Sequence, residues 1–224
     1  MSAWGASMRP TEPITVWGRA DSSNVQAVMW GAAELGLPVN RIDAGHRFGK
    51  LDTADYRAMN PHGRVPTLKD GDLVLWESCA ILRYLASRYG DGGAFWPADP
   101  VARARVDMWA EWAKHEGANH FTYPVFWLSV RTPEAERDAK QLDTNIARWE
   151  QSLDMIEAQL NQHDWLTGPD FTLADIIAGH YLYRWFTLDL PRRPRPVVEG
   201  WYARLQDRPA YRQHVMVSYD ALRA

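Results

Sequence analysis

The hydrophobic pattern changes period several times along the first ninety residues. Residues 14–17 alternate and are rich in β-branched side chains, which predicts a short strand. Asp21, Ser22, Ser23 and Asn24 follow, all of them helix N-cap types. Val25, Val28, Met29, Ala32 and Leu35 then recur near helical spacing, and Gly36 ends that helix. Residues 39–43 read as a second strand. The chain therefore opens β, α, β, the order of a parallel pair with a crossover helix. The stretch 44–50 is a glycine-containing loop, and 52–59 is a short, irregular helix. Residues 65–68 and 73–76 predict two more strands, joined by a tight turn at Asp70 and Gly71. From Glu77 the period is helical again, with Ile81, Tyr84 and Leu85 on one face, as far as Tyr89 and Gly90.

Beyond that point no strand pattern recurs. The Gly-, Pro- and Asp-rich stretch 91–100, DGGAFWPADP, is the strongest boundary signal in the chain. Residues 101–120 predict a helix with Val106, Trp109, Ala110 and Ala113 on one face. Thr132-Pro133 opens a second long helix that carries Leu142, Ile146, Trp149, Leu153, Ile156 and Leu160. Thr172-Leu-Ala-Asp175 is a capping sequence before an apolar helix, and 196–206 and 210–217 predict two shorter ones. The expected organisation is a tail over 1–13, an α/β domain over 14–90, a linker over 91–99 and an all-helical domain over 100–224. The tail has no apolar signal core and reads as disordered.

Composition narrows the function. A net charge of −3 argues against an electrostatic nucleic-acid binder. A single cysteine, Cys79, excludes an internal disulfide framework and a cysteine-rich zinc site, and a reducing compartment, the cytoplasm, is the simplest setting. No apolar run approaches the roughly 20 residues that cross a bilayer, so no membrane association is expected. The histidines form no metal-binding pair, so no metal is expected. Twelve tryptophans predict a densely packed interior.

Four local signals could carry chemistry, and each has a bland counterpart. A cis bond at Val65-Pro66 would turn the Val65 backbone toward an extended, peptide-like ligand. A trans proline at an edge strand is commoner, because only about 5–6% of X–Pro bonds are cis. Glu77 and Ser78 stand at a helix start, where N–H donors meet carboxylates and a Glu can accept from an ammonium group. Together they suit an α-amino-acid head; ordinary capping is the commoner role. Ser22, with Ser23 and Asn24, can stabilise an anion such as a thiolate at the first helix start, or simply cap it. Cys79, one residue into its helix, is more often a buried small hydrophobe than a reactive thiol. The arginines 192, 193 and 195, interleaved with prolines and flanked by Asp189 and Glu199, read as a solvated basic turn.

The order of these signals is more specific than any one of them. The Ser-rich helix start is followed by N-P-H-G-R-V-P-T-L, a hairpin, W-E-S-C-A-I-L-R-Y-L, the linker, and F-T-L-A-D-I in the helical half. Over residues 14–217 this resembles the cytosolic glutathione S-transferase superfamily, in its bacterial, serine-type, theta- or nu-like branch. The resemblance implies a thioredoxin-like N-terminal domain and an all-helical C-terminal domain. It implies a cis Pro66, with Val65 holding the cysteinyl part of glutathione and Glu77 and Ser78 holding the γ-glutamyl head. Arg64 would meet the glycyl carboxylate, with His46 and Lys50 in the covering loop as further candidates.

Trp17, Gly18 and Arg19 stand where tyrosine-using classes place their tyrosine, and no cysteine stands at the first helix. A serine-type site remains: Ser22 as thiolate stabiliser, Asn24 assisting, Ser23 the alternative. A second-substrate pocket between the domains would draw on Met108, Trp112, His115 and Tyr123, with Phe126 just beyond. The implied activity is attack of glutathione, as co-substrate, on a small hydrophobic electrophile. Glutathione-dependent disulfide or peroxide reduction and a non-catalytic ligand carrier are the alternatives. A homodimer is implied as well.

Overall fold

The structure, a computed structural model, describes residues 9, 10 and 12–224. Most of the tail expected over 1–13 lies outside the described residues. The chain parts into two compact units at Arg103 and Ala104. The first holds a four-stranded sheet of β1 (Ile14–Trp17), β2 (Val39–Ile42), β3 (Thr67–Asp70) and β4 (Leu73–Trp76). Its strand order is β2-β1-β3-β4. β1 and β2 are parallel, with Ile14 opposite Val39 and Trp17 opposite Ile42. β3 runs antiparallel to both β1 and β4, placing Thr67 between Trp17 and Trp76.

The parallel pair is the one that the β, α, β opening predicts. Its crossover is α1 (Ser23–Glu34), which packs against α3 (Ser78–Tyr89). Ile14, Val16, Val28, Trp30, Leu68, Ile81 and Leu85 are fully enclosed, so the period-2 and period-3.6 apolar positions converge on one core. Between β1 and α1 the chain runs hard against the helix. A Cβ on Gly18 would stand 2.3 Å from a methyl of Val25, so only glycine allows this approach. The short helix α2 (Ala54–Met59) is capped by Thr53, whose hydroxyl accepts from the Tyr56 amide. The third strand begins at Thr67, two residues later than predicted. Its ladder starts only after the Val65–Pro66 bond, which is cis.

The second unit is helical, as expected, with different boundaries. After α4 (Pro100–Glu116) the backbone winds on in a wider, π-type helix over Gly117–Arg131, well past the expected end near residue 120. Pro124 lies inside it, and its carbonyl accepts from Asn145 Nδ2 at 3.1 Å. α5 (Ala139–Leu160) begins seven residues after Thr132, because Asp138 caps it by accepting from the Gln141 amide at 2.9 Å, while Pro133 stays extended. α6 (Leu173–Gly179) and α7 (Leu182–Thr187) divide the single apolar helix that was expected after Thr172. α8 (Pro196–Gln206) falls where predicted, and α9 is Pro209–His214.

An aromatic cluster fills this unit: Phe121 lies 5.1 Å from Trp149 and 6.1 Å from both Tyr181 and Trp185, ring centroid to ring centroid. Gly117 makes room for it, since a Cβ there would meet the Tyr181 ring at 2.0 Å. The solvated-turn reading of the arginines is corrected at Arg195. That side chain is buried and pairs with Glu150 at 2.8 Å and Glu157 at 2.9 Å, while Arg193 takes Glu150 at 2.7 Å. A planar guanidinium suits such a multi-carboxylate site, and tertiary pairing across about 45 positions leaves no local sequence signature.

Candidate active site at the starts of two helices

The first unit gathers its chemical groups at the adjoining ends of β1, β3, α1 and α3. Ser22 is the N-cap residue of α1, in extended conformation (φ −91°, ψ 122°), yet its side chain makes no capping hydrogen bond among the described residues. An N-cap serine ordinarily accepts from a first-turn amide. Here the first-turn donors and the hydroxyl are not closed on each other. Ser22 and Ser23 are both buried, so a group bound here would meet them out of bulk water.

Asn24, in the same turn, reaches α3: the Ser78 hydroxyl donates to its Oδ1 at 3.4 Å. This one contact spans 54 positions and joins the residues expected at the sulfur end of a glutathione molecule to those expected at its γ-glutamyl end. Glu77 caps α3 with φ 72° and no side-chain cap bond. Its carboxylate lies 4.0 Å from His62 Nδ1, both groups about half exposed.

Val65 is half-buried and Arg64 is exposed beside it. The segment they share is anchored from below by two residues that sequence reasoning left out of the site. Tyr56 donates its hydroxyl to the Arg64 carbonyl at 2.7 Å, and Asn60 Nδ2 donates to the same oxygen at 2.9 Å. Both also meet the Thr67 hydroxyl, at 2.8 and 3.0 Å. Burial, against the hydrogen bonds from Thr67 and Asn60, pushes the Tyr56 phenol up from its ordinary value, so it stays a neutral donor. Asn60 opens the N-P-H-G-R-V-P motif, which was the available clue; nothing local marks Tyr56.

The loop after β2 turns over Val65. A Cβ on Gly45 would lie 3.5 Å from the Val65 side chain. His46 and Lys50 are exposed, and Lys50 Nζ donates to the Asp43 carbonyl at 2.9 Å. Among the described residues, the non-glycine positions with φ in the left-handed region are His46, Lys50 and Glu77. All three had been singled out for chemistry from the sequence. Such conformations cost of order 1–3 kcal/mol and collect at functional sites.

Asp21 adds a feature the sequence reading gave only a capping role. It is buried, and its carboxylate takes Arg19 Nη1 at 2.7 Å and Arg47 Nη1 at 2.8 Å. Burial alone would raise its pKa; the two guanidinium hydrogen bonds outweigh that and hold it below the usual carboxylate value.

In the second unit Met108 and His115 are exposed, Trp112 is half-buried against Trp109 at 5.1 Å, and Tyr123 is exposed against Trp127 at 4.8 Å. Phe126 belongs to the core instead, fully enclosed under Tyr219. Cys79 is buried and forms no disulfide. Among the described residues no group of three or more His, Cys, Asp or Glu is placed to hold a metal ion. Nor is any helix among them long and apolar enough to cross a membrane.

A cis-proline bend at a strand start, two facing helix starts and a mixed sheet of this order define a thioredoxin-like domain, here followed by a helical unit. The model of the glutathione S-transferase N-terminal domain matches residues 12–87, and that of the glutathione S-transferase C-terminal domain matches 119–209. Glutathione S-transferase GstB of Escherichia coli is 40% identical over 91% of this chain and 98% of its own. Glutathione S-transferase 3 of Zea mays is 34% identical over 91% and 93%. The crystal structure of the theta-class glutathione S-transferase of Xanthomonas axonopodis pv. citri, solved with glutathione bound, superposes with a TM-score of 0.87. It is 44% identical and covers 92% of this chain and 99% of that one. The chain belongs to the glutathione S-transferase family.

Proposed function

We propose that this glutathione S-transferase binds glutathione across the starts of α1 and α3 and activates its thiol through Ser22. The observation that carries the reading is the Ser22 hydroxyl, buried at a helix N-terminus and not engaged as a cap. A free thiol of pKa about 8.5 is only ~3% thiolate at pH 7. Lowering it by about two units gives ~75% thiolate and requires ~2.7 kcal/mol. One charge-assisted hydrogen bond, about 1.5–3 kcal/mol, and a helix terminus, about 0.3–1 kcal/mol, cover that.

The remaining roles follow the same geometry. Asn24 assists at the sulfur and is oriented by its contact with Ser78; Ser23 is the alternative donor. Val65 presents its backbone to the cysteinyl part beside Pro66. Glu77 takes the ammonium of the γ-glutamyl head, and Ser78 its carboxylate. Arg64 and Lys50 supply positive charge, and His46 a ring nitrogen, for the glycyl carboxylate. In the second unit, Met108, Trp112, His115 and Tyr123 are assigned to a small hydrophobic electrophile, whose chemistry suits apolar and aromatic surface.

The chain acts in the cytoplasm, consistent with its lone buried thiol, and as a homodimer. β4 is the sheet's edge strand and leaves Leu73 and Trp76 substantially exposed, an edge that a second copy would cover. Calorimetric titration with glutathione, followed by turnover of an aryl halide and of a disulfide by wild type and Ser22→Ala, tests the assignment. Saturable binding with aryl-halide turnover that falls in the variant supports it. Turnover confined to the disulfide favours the reductase reading, and binding without any turnover favours a carrier.

A further inference from the structure

The Asp21 ion cluster joins two segments that the proposed glutathione site needs in one frame. Asp21 immediately precedes Ser22. Arg19 reaches it from the β1–α1 connection, whose path is set by Gly18 donating to the Ile42 carbonyl and Arg19 to the Ala44 carbonyl. Arg47 reaches it from the turn His46–Phe48, which begins at the glycine lying over Val65. That turn also carries His46 and leads to Lys50. Arg47 stacks over Phe48, 4.6 Å from the ring centroid, so its guanidinium is held by the ring as well as by the Asp21 carboxylate.

The charge arrangement is directional. An anion at the start of a helix is favoured by the unpaired amides, and a fixed carboxylate there would compete with a bound thiolate. α1 has no acidic residue in its first turn. The Asp21 carboxylate beside it meets two guanidiniums, so this cluster carries a net charge of about +1 next to Ser22. The Asp21 side chain is 4% exposed and Arg19 14%, whereas Arg47 is 45% exposed. Arg47 is therefore the member that can be removed without opening the core.

We propose that Asp21 is a positioning residue: by gripping Arg19 and Arg47 it fastens the 45–50 loop to the start of α1. This sets the thiol end and the glycyl end of glutathione in register and leaves net positive charge beside the sulfur. The proposal rests on the glutathione reading above.

Two variants separate fastening from charge. Arg47→Gln removes a positive charge and the grip; Asp21→Asn removes a negative charge and the same grip. Both should raise KM for glutathione about fivefold, with kcat at saturation changed less than about twofold. The bound-thiol pKa should move in opposite directions, up by about half a unit in Arg47→Gln and down in Asp21→Asn. Arg47→Lys should recover most of the KM.

Amide hydrogen exchange at residues 45–50, measured without glutathione, should accelerate in Arg47→Gln and be restored in Arg47→Lys. An unchanged KM and unchanged exchange in Arg47→Gln overturn the proposal, as do thiol pKa values that move the same way in both variants. If Asp21→Asn does not fold, the Arg47 pair decides alone. A wild-type chain that fails to bind glutathione removes the glutathione reading, while the exchange measurement still decides whether the loop is fastened.

Discussion

Two helix starts in this protein are built from the same residue types and do opposite things. At α6, Thr172 and Asp175 form a complete capping box. The Asp175 carboxylate takes the Thr172 amide at 2.9 Å, the Thr172 hydroxyl at 3.1 Å and the Leu166 amide at 3.0 Å. At α1, Ser22 stands in the cap position without a cap bond, and the neighbouring Asp21 holds two arginines. The first start is closed on itself and is architecture. At the second the Ser22 hydroxyl is not spent on the cap, and a hydroxyl at a helix terminus is suited to an anion.

The two aspartates record the same contrast. Asp175 is wholly buried with only neutral donors around it, and burial prevails over them to push its carboxyl up to about 6. Asp21 is buried too, but two guanidiniums outweigh the burial and hold it below its ordinary value. What surrounds a buried carboxylate, neutral amide or full charge, decides the sign of the shift.

The comparison can be broken by substitution. Asp175→Ala should have the largest effect, a loss of about 3 kcal/mol in urea unfolding, because three donors lose one acceptor inside the core. Activity per folded molecule should stay unchanged. Ser22→Ala should do the reverse. The loss of about 2 kcal/mol falls on catalysis, a roughly 30-fold drop in kcat/KM for glutathione at pH 7, with the melting temperature unmoved. Thr172→Ala should cost about 1 kcal/mol of stability, the ordinary value of a cap.

The two aspartates should also give stability slopes of opposite sign with pH. Asp175 holds its proton to higher pH when folded, about 6 against about 3.9 unfolded, so its contribution to stability falls as pH rises through that window. Asp21, with a lowered native value, contributes above about pH 3.9 and loses that contribution as pH falls through its native value. Unfolding curves of Asp175→Asn should lack the first slope while keeping the second.

Much of this was legible in the sequence because the signals are local. The β, α, β opening, the helix start at Ser22 to Asn24, the Thr172 capping sequence and the motif from Asn60 onward each lie within a few residues. The start of α5 was misplaced because Thr132 and Asp138 are both good caps, and the packing of the helical unit rather than propensity chooses between them. The helical winding runs on past the end expected near residue 120 and through Pro124, whose carbonyl takes Asn145 Nδ2 from α5, a contact with no local signature. The Asp21–Arg47 pair spans 26 positions and Asn24–Ser78 spans 54. Neither separation leaves a periodic trace, so the residues of the site could be named while the contacts between them could not.

The central claim is that Ser22 stabilises a bound thiolate. The most direct test is the ultraviolet thiolate band of glutathione bound to wild type and to Ser22→Ala, recorded from pH 5 to pH 9. The account predicts an apparent thiol pKa near 6.5 in wild type, rising by one to two units in the variant while glutathione remains bound. Equal pKa values in the two proteins, with glutathione bound in both, would contradict it.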